Sequence, residues 1–491
     1  MRGKNTVNPD GFTSILTKLQ RKILVSKSDS SLNALAKENF MKIIVVGAGK
    51  TGRHLVRMLT NEGHNVTIVD YDDKTLTDVC NANDVMGVSG NGVNFSSLDE
   101  AGLGEADVLI AVTGSDEQNL LCSLFAKKVE NCSTIARVRN PIYLTETEFL
   151  RDRIGLTMII NPELSAAAEI LRLLKFPSAI DINVFAKGKV EMLTFKVGKD
   201  TVLDGKDLSF ARNKIEKDVI FCCVERGGEY YIPSGDFELL AGDKASIIIP
   251  PKKALSFFKK IGVDTESVKD VLIVGGGTIA EYLAGRLIEN GIDVKIIEIN
   301  KTRCDELSAK LPKALIINGD ASDKELLLEE GLNTTGAFVA LTGFDEENIL
   351  LSLYAKETTG AKVITKVDRI SFDDLISKLN MDSIIYPSNI SAENVLKFVR
   401  SKQNAVGNNV ETLHKLVEDK VEALEFNIGE TSSLIGIPLK EMELKDNLIV
   451  CGIFRKNRLI LPAGDSVFEA GDSVIVVTSH KKLGDIGDIL K

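Results

Sequence analysis

The sequence predicts an α/β protein with two doubly wound parallel-sheet domains, each followed by a small α+β domain. Three observations lead to this fold class. The chain of 491 residues contains an internal repeat, and in each copy a glycine-rich turn follows a short apolar strand. Later in each copy the sequence pattern changes to strands separated by glycines. Apolar runs that alternate with helices are typical of buried parallel strands, whereas glycine-punctuated strands are typical of a compact, mainly β unit.

The repeat unit is about half of the chain. The matching pairs are Gly47 with Gly275, Asp70 with Glu298, residues 111–119 with 340–348, residues 232–236 with 461–465, and residues 241–243 with 470–472. All of them are separated by 228 or 229 residues. Because the similarity runs through both kinds of domain, the duplication predicts a pseudo-two-fold arrangement of four domains within one chain.

We expect the chain to divide into five segments. They are an N-terminal extension outside the fold at 1–40, a parallel-sheet lobe at 41–162, a connector helix with a β-rich lobe at 163–265, a second parallel-sheet lobe at 266–388, and connector helices with a second β-rich lobe at 389–491. The connectors are predicted as helices over Ser165–Lys175 and Ser391–His414. The first 40 residues show no strand pattern, and their acidic residues disfavour a transit peptide. An extension or an upstream start is the simpler interpretation.

Composition excludes several classes of function. A formal net charge of -10 argues against a nucleic-acid partner, because phosphates require a basic surface. No apolar run approaches the ~18–20 residues needed to cross a bilayer, so that membrane association would come through a partner. The seven cysteines form no CxxC pair, which is typical of a reducing cytosol.

The glycine turn of the first half has the spacing of a Rossmann dinucleotide-binding loop. Gly47-x-Gly49-x-x-Gly52 follows a strand and opens a helix. In such a loop the glycines permit the tight turn, the approach of a pyrophosphate and the packing of the helix, whose N-terminus attracts the phosphates. Asp70 ends the next strand, where a carboxylate can accept both ribose hydroxyls and repel a 2′-phosphate. NAD(H), or ATP or ADP, is therefore expected over NADP.

Two later strand ends strengthen this prediction. Thr113 and Gly114 end the fourth strand at the topological switch point, where open α/β sheets bind ligands. Arg137 ends the fifth strand, with Arg139 on the same face at period two, and its guanidinium can reach phosphate oxygens. An ordinary salt bridge is the alternative for Arg137.

The second half keeps a modified copy of the site. Residues 275–280 (Gly-Gly-Gly-Thr-Ile-Ala) retain the first two glycines and have alanine at the third position, which the fingerprint tolerates. Glu298 replaces the aspartate, Thr342-Gly343 is retained, and Lys366 puts a point charge in place of the arginine fork. We expect nucleotide binding here too, either weaker or of different selectivity.

These observations give a set of predicted nucleotide contacts. In the first half they are Gly47, Ala48, Gly49, Lys50, Thr51, Gly52, Asp70, Thr113, Gly114 and Arg137. In the second half they are Gly275, Gly276, Gly277, Thr278, Ile279, Glu298, Thr342, Gly343 and Lys366. Asp320 adds a carboxylate whose counterpart is Asn91, and a helix N-cap over Ser322–Glu325 is the simpler interpretation of that segment.

The sequence does not predict an enzyme. A dehydrogenase needs an acid–base group at the nicotinamide, and the four histidines do not supply one. His54 lies inside the first Rossmann helix, His64 precedes the second strand, His414 falls in the predicted connector helix, and His480 is near the C-terminus. We predict no catalytic residue and no metal site.

With these residues in place, the chain from residue 41 onward resembles the tandem RCK (regulator of potassium conductance) regulators of Trk potassium uptake systems. The resemblance rests on the duplication and on residues 45–49, 112–119, 135–140 and the Ile-Pro-x-Gly-Asp motif. It implies that each half is an RCK unit with an N-terminal Rossmann lobe and a C-terminal lobe.

The resemblance also implies partners. Four chains would form a ring, a homotetramer, against the cytoplasmic face of a TrkH-like potassium channel membrane subunit, and NAD(H) or ATP/ADP would occupy the Rossmann sites. Ser89-Gly-Asn-Gly92 departs from the Gly-Asp that many RCK lobes carry, which puts a site at that turn in doubt. The alternatives are an NAD-dependent oxidoreductase with an unrecognised substrate site and a nucleotide sensor of another transporter.

Overall fold

The computed structural model describes residues 40–491 except for short segments. Those segments are 130–131, 141–142, 144–145, 177, 200, 264–267, 369–375, 377–378, 380, 382, 405–409, 418–419 and 482. Apart from Phe40, the predicted N-terminal extension lies outside the described residues. No helix in the described part of the chain is long and apolar enough to span a membrane.

The first lobe is a six-stranded parallel sheet. Its strands are β1 (Lys42–Val46), β2 (Asn65–Asp70), β3 (Met86–Ser89), β4 (Val108–Ala111), β5 (Ser133–Arg137) and β6 (Met158–Ile160). The strand order is β3-β2-β1-β4-β5-β6, and every neighbouring pair is parallel. The direction of winding reverses between β1 and β4, so the ligand crevice of a doubly wound sheet lies at the carboxyl ends beside that point.

Helices cover both faces of this sheet. They are α1 (Lys50–Asn61), α2 (Asp73–Asn83), α3 (Phe95–Glu100) and α4 (Asp116–Ala126), followed after β6 by α5 (Pro162–Lys175). The alternation of side chains along β1 explains the two layers. Ile43 and Val45 belong to the apolar cluster that contains α1 and α2, whereas Ile44 and Val46 belong to the cluster that contains α3 and α4.

The first β-rich lobe is mainly antiparallel. Its strands are β7 (Asp181–Phe185), β8 (Val190–Lys196), β9 (Lys206–Asp207), β10 (Ile220–Arg226), β11 (Glu229–Tyr231), β12 (Glu238–Leu239) and β13 (Lys244–Ile248), and helix α6 (Pro251–Lys260) closes it. Five strands form a sheet in the order β11-β10-β13-β8-β7, and β9 pairs with β12. Phe257 and Phe258 of α6 fill the centre of the lobe against Phe195.

The second half repeats both lobes. Its parallel sheet contains β14 (Asp270–Val274), β15 (Asp293–Glu298), β16 (Leu315–Asn318), β17 (Ala337–Ala340), β18 (Lys362–Lys366) and β19 (Ser383–Ile385). Its antiparallel sheet contains β20 (Val410–Leu416), β21 (Val421–Asn427), β22 (Leu448–Arg455), β23 (Arg458–Ile460) and β24 (Ser473–Thr478). Its helices are α7 (Thr278–Glu289), α8 (Lys301–Lys310), α9 (Lys324–Glu329), α10 (Asp345–Thr358) and α11 (Pro387–Asn404).

The strand orders of the second half match those of the first. They are β16-β15-β14-β17-β18-β19 and β23-β22-β24-β21-β20. The predicted fold class and the internal duplication are therefore confirmed. One connector was predicted wrongly, because α11 ends at Asn404 and His414 lies in β20. The buried residues of β20 are Val410, Leu413 and Leu416, a spacing of three that fits a helix as well as a strand. A β-bulge between Val410 and Thr412 brings Val410 and Leu413 to the same face of the strand.

The two halves are interlocked. One continuous apolar core joins α5, the first β-rich lobe and the second parallel sheet, with Ile170, Phe195 and Ile273 among its members. A second core joins α11, the second β-rich lobe and the first parallel sheet. Accordingly α5 packs against α7, and α11 packs against α1. Each β-rich lobe thus shares its core with the parallel sheet of the other half, an arrangement with the predicted pseudo-two-fold relation.

The Ala-Gly-Asp motif found in both halves builds a turn of the β-rich lobe. In the second lobe the Asp472 carboxylate is buried and accepts two hydrogen bonds from Arg455, each 2.7 Å long. It also accepts the backbone N–H of Glu469 at 2.8 Å. Asp243 and Arg226 repeat this pair in the first lobe. The motif therefore has a structural role.

We expect Asp472→Asn to lower the free energy of unfolding by about 2–3 kcal/mol, because the amide loses a charge-assisted bidentate pair with Arg455. Chemical denaturation would measure the loss. Asp465→Asn is the matched control, since its carboxylate is 86% exposed, and it should change stability by less than about 0.5 kcal/mol. Equal losses in the two variants would contradict the structural role of the motif.

A group of charged side chains lies where α5 approaches α11. Burial and the neighbouring Asp181 carboxylate raise the pKa of Glu169 from its ordinary 4.5 to about 8. The folded chain therefore holds this proton more tightly than the unfolded chain. The corresponding stabilisation is complete below pH 4.5 and is lost as the pH rises through about 8.

Glu169→Gln is expected to flatten the decline of the unfolding free energy over this pH window, because glutamine does not titrate. Denaturation at several pH values measures the effect, with the exposed Glu148→Gln as control. Parallel profiles for wild type and Glu169→Gln would contradict the assignment.

Candidate functional site

The carboxyl ends of both parallel sheets open on one cavity of about 1250 Å³. Strand ends of the first half line it on one side and strand ends of the second half line it on the other. The cavity is therefore built by the two topological switch points together, each of which is the usual ligand crevice of its own sheet.

The first glycine turn is held by the acidic residue at the end of β2. Gly47 has a φ of +107°, and a Cβ there would lie 3.0 Å from the backbone of Val112, so the turn requires glycine. The Asp70 carboxylate accepts the backbone N–H of Ala48 at 2.5 Å and that of Asp72 at 2.9 Å. The carboxylate is thereby fixed at the edge of the cavity.

The second turn has the same construction with a longer acid. Glu298 at the end of β15 accepts the backbone N–H of Gly276 and that of Asn300, both at 2.7 Å. A Cβ at Gly276 would lie 2.6 Å from Leu307 and 3.1 Å from the Glu298 carboxylate. Glycine at this position makes room for the extra methylene of glutamate, which explains why Ala48 and Gly276 differ between the copies.

The helices that follow the two turns begin without side-chain caps. Gly49 and Gly277 occupy the N-cap positions of α1 and α7, and no side chain bonds to the first N–H groups there. By contrast, Asp72 and Asn300 cap the next helices, α2 and α8. Uncapped N–H groups and the positive end of the helix dipole attract anions.

Four glycines leave the cavity wall open. A Cβ built at Gly49, Gly114, Gly277 or Gly343 would meet no atom within 4 Å. These glycines come in two equivalent pairs, and all four line the cavity. Together with the uncapped helices and the fixed carboxylates, this cradle fits the phosphates and ribose of a nucleotide.

The motif Thr-Gly-x-Asp-x-x-Asn, which occurs once in each half, positions two of the strand ends. The Asn119 side chain accepts the backbone N–H of Thr113 at 2.8 Å and donates to the carbonyl of Arg137 at 2.9 Å. Asn348 makes the equivalent bonds to Thr342 and Lys366. One amide thus joins the ends of two strands in each half, a function that the repeated motif alone did not reveal.

Ion pairs surround the basic residues of the cavity. The Arg137 guanidinium lies 2.6 Å from the Glu163 carboxylate, so the predicted alternative of a salt bridge is present. Asp368 lies 3.1 Å from the ammonium of Lys366 and 3.1 Å from that of Lys50, which belongs to the other half. The Lys50–Asp368 pair therefore bridges the two halves across the cavity.

The cavity brings together most of the predicted contacts. Its lining includes Gly47, Gly49, Lys50, Thr51, Asp70, Thr113, Gly114, Arg137, Gly275, Gly277, Thr278, Ile279, Glu298, Thr342, Gly343 and Lys366. Three predicted residues do not border it. Ala48 is fully buried, Gly276 packs against Leu307, and Gly52 lies against the Gly47 carbonyl, so each supports the turn from behind.

Arg139 does not continue the face of the strand on which Arg137 lies. It lies beyond the end of β5, and its guanidinium binds the carbonyl of Gly114 and the carboxylate of Asp116. Asp320 does line the cavity, and the N-cap of the following helix is Asp323. The backbone N–H of Ser322 and its hydroxyl bond to the Asp320 carboxylate and lower its pKa.

The sequence did not single out three exposed apolar side chains of the cavity. Tyr71 follows Asp70 and is 81% exposed, Ile299 follows Glu298 and is 67% exposed, and Phe344 is 69% exposed. Large apolar groups at the surface are informative when they gather at one site. The signal available in the sequence was their position, directly after an acidic strand end or a Thr-Gly pair.

Comparisons with known proteins agree with the duplication. The TrkA-N domain family matches residues 43–162 and 271–387, and the TrkA-C domain family matches residues 423–491. Among solved structures, the RCK domain of GsuK has a TM-score of 0.60 at 16% identity and covers 90% of this chain and 93% of its own. The GsuK channel bound to NAD has a TM-score of 0.59, at 16% identity, over 90% of this chain and 77% of its own. These structures support the fold.

Curated relatives match over most of the chain. Trk system potassium uptake protein TrkA homolog 1 of Methanosarcina mazei is 32% identical over 460 residues, 92% of this chain and 100% of that protein. The Archaeoglobus fulgidus homolog is 33% identical over 92% of this chain and 100% of its own. TrkA of Haemophilus influenzae is 32% identical over 90% and 96%, respectively. The chain therefore belongs to the TrkA family of Trk system potassium uptake proteins.

Proposed function

We propose that this protein is the nucleotide-binding regulatory subunit of a Trk-type potassium transporter. It binds NAD(H) or ATP/ADP in the cavity between its two Rossmann lobes and controls potassium uptake through a TrkH-like membrane channel subunit. The observation that carries the proposal is the pair of glycine turns, each with a fixed carboxylate, that open on one cavity. The NAD-bound channel of the same fold supports the choice of ligand.

The ribose of a bound nucleotide lies at the acidic strand ends in this proposal. The Asp70 and Glu298 carboxylates each accept hydrogen bonds from two backbone N–H groups. Because a carboxylate has about four lone-pair sites, each of them can still accept hydrogen bonds from ribose hydroxyls. Tyr71, next to Asp70, offers an exposed ring on which an adenine can stack. A 2′-phosphate is repelled by the carboxylate, which favours NAD(H) over NADP.

Binding of phosphate changes the contact between the two halves. The Lys50 ammonium, at the start of α1, holds Asp368 of the second half. A phosphate at the first glycine turn competes with the Asp368 carboxylate for this ammonium. The nucleotide thus interacts differently with different arrangements of the lobes, and only such a difference can shift a conformational equilibrium, typically by ~1–3 kcal/mol of coupling.

The proposal includes a homotetrameric assembly on the cytoplasmic face of the membrane and no catalytic turnover. A turnover assay with NAD(H) and candidate substrates separates it from an oxidoreductase, since stoichiometric hydride transfer would refute a purely regulatory role. Co-purification of the full chain with a potassium-translocating membrane protein separates it from a sensor of another transporter. Recovery with a transporter of a different ion would refute the potassium assignment.

Asp70→Ala is expected to weaken binding of NADH and ATP to the first site by about tenfold to 100-fold, because the ribose loses a charge-assisted acceptor worth about 1.5–3 kcal/mol. Calorimetry with NAD, NADH, ATP and ADP measures the change. Asp99→Ala on α3 is the matched control, since Asp99 is exposed and does not line the cavity. Unchanged affinity in Asp70→Ala would remove the first site from the proposal.

A further inference from the structure

The two glycine turns are parts of a single cavity, and two reciprocal contacts hold its sides together. Lys50 at the start of α1 reaches Asp368 beyond β18 at 3.1 Å. In the other direction the Tyr282 hydroxyl of α7 donates to the carbonyl of Arg139 beyond β5 at 2.7 Å. Helix α1 thus contacts the loop after β18, and helix α7 contacts the loop after β5, so that each helix contacts the opposite half. At about 1250 Å³ the cavity is larger than the ~300–1,000 Å³ of most small-ligand sites.

The phosphate ends of the two sites face each other in this arrangement. Within each half the carboxylate at the end of β2 or β15 marks the ribose end, and the N-terminus of α1 or α7 marks the phosphate end. The N-terminal residue of α1 makes the ion pair with the second half. The phosphate ends therefore lie at the centre of the cavity, with one ribose end on each side.

The basic groups that line the cavity come from both halves of the chain. The single carboxylate of Asp368 pairs with two ammonium groups, Lys50 from one half and Lys366 from the other. The uncapped N-termini of α1 and α7 add about half a positive charge each. Arg137 is also near, although Glu163 balances it. Basic groups from both halves are therefore available to bind the same phosphate chain.

We propose that the cavity binds one dinucleoside polyphosphate, with an adenosine in each half and a shared phosphate chain across the centre. The proposal rests on the proposed function, because it assigns adenine nucleotides to both turns. A Rossmann turn accommodates a pyrophosphate. Two turns that face each other therefore accommodate four phosphates, the number in diadenosine tetraphosphate.

A single bridging ligand is expected to bind in the cavity more tightly than two separate nucleotides. Two triphosphates would bring their charged ends together at Lys50 and Lys366, where they repel each other. A dinucleoside tetraphosphate has one chain in the same place. Its second adenosine binds as an intramolecular step at an effective concentration in the millimolar range, which raises affinity by about 10²–10⁴-fold without any new contact.

Calorimetry on the full chain tests the proposal with ATP and with diadenosine tri-, tetra- and pentaphosphate as titrants. We expect one diadenosine tetraphosphate per chain, bound about 100-fold more tightly than ATP, and weaker binding of diadenosine triphosphate, which has one phosphate fewer than the two turns accommodate. Two molecules per chain at an affinity like that of ATP would overturn the inference and leave the proposed function in place. Absence of binding by every adenine nucleotide would overturn both.

Two single variants give an independent check. Asp70→Ala and Glu298→Ala should each reduce the affinity for diadenosine tetraphosphate about 100-fold, to the affinity of a ligand that is held at only one of the two turns. ATP should still bind to the unaltered half of each variant, which shows that the protein is folded. Asp99→Ala should bind the tetraphosphate like wild type. Loss of affinity in only one of the two variants would show that the ligand occupies one half, and would overturn the bridging arrangement.

Discussion

Arg400→Ala is expected to destabilise the chain by about 3–5 kcal/mol. Arg400 on α11 is only 6% exposed and joins both halves. Its guanidinium donates to the Glu62 carboxylate at the end of α1, at 2.7 and 3.0 Å, and to Glu422 of β21 at 3.3 Å. Burial disfavours the charged guanidinium, but the two carboxylates outweigh it and raise the pKa of Arg400.

The loss is large because truncation leaves two carboxylates without their cation at the contact between α11 and α1. Chemical denaturation of the full chain measures it. Lys301→Ala is the matched control, since it breaks an exposed pair with Asp305 within one helix and should cost about 0.3–0.5 kcal/mol. A triple variant with apolar residues at 62, 400 and 422 should recover much of the stability. If Arg400→Ala cost no more than Lys301→Ala, the link between the halves would be unimportant.

Gly52→Ala is expected to weaken nucleotide binding at the first turn by up to about 100-fold and to destabilise the fold by about 1–3 kcal/mol. A Cβ at this position would lie 1.8 Å from the Gly47 carbonyl oxygen, an atom of the backbone that cannot move aside alone. The start of α1 must therefore shift away from the turn, and its N–H groups leave the phosphates. The second half, by contrast, already carries a buried alanine at 280.

The binding effect of Gly52→Ala is measured by calorimetry with NADH in a Glu298→Ala background, so that only the first site is observed. Gly104→Ala is the matched control, because a Cβ there meets no atom within 4 Å. It should leave both affinity and stability unchanged. Wild-type affinity in Gly52→Ala would mean that the turn does not position the ligand.

The sequence was sufficient for the fold class, the duplication and the glycine turns of the two parallel sheets. The glycine spacing, the carboxylates at the ends of β2 and β15, and the repeated motifs are local features, and they correctly predicted two doubly wound sheets with equivalent turns. Apolar periodicity shows which face of a helix is buried but does not show what buries it. For this reason the pairing of α5 with α7 and of α11 with α1 could not be predicted.

The same reasoning explains the errors at individual residues. His414 was predicted at the end of the connector helix, yet it lies in β20, and its Nε2 is 2.9 Å from the Val184 carbonyl of the other β-rich lobe, a partner far away in the chain. Burial lowers the pKa of His414 to about 3, so this histidine is neutral at physiological pH. Contacts of this kind depend on the arrangement of lobes, which local sequence patterns do not encode.

The parts of one shared core are synthesised at very different times during translation. Apolar residues of α11, such as Val395 and Leu396, belong to the same core as Leu55 of α1, and they are made more than 300 residues later. At about 5–20 residues per second the ribosome needs roughly 15–70 s to make the intervening chain. During this interval the first sheet emerges with part of its apolar surface uncovered. We therefore expect the nascent chain to be prone to aggregation until its last hundred residues, which supply the rest of this core, have been translated.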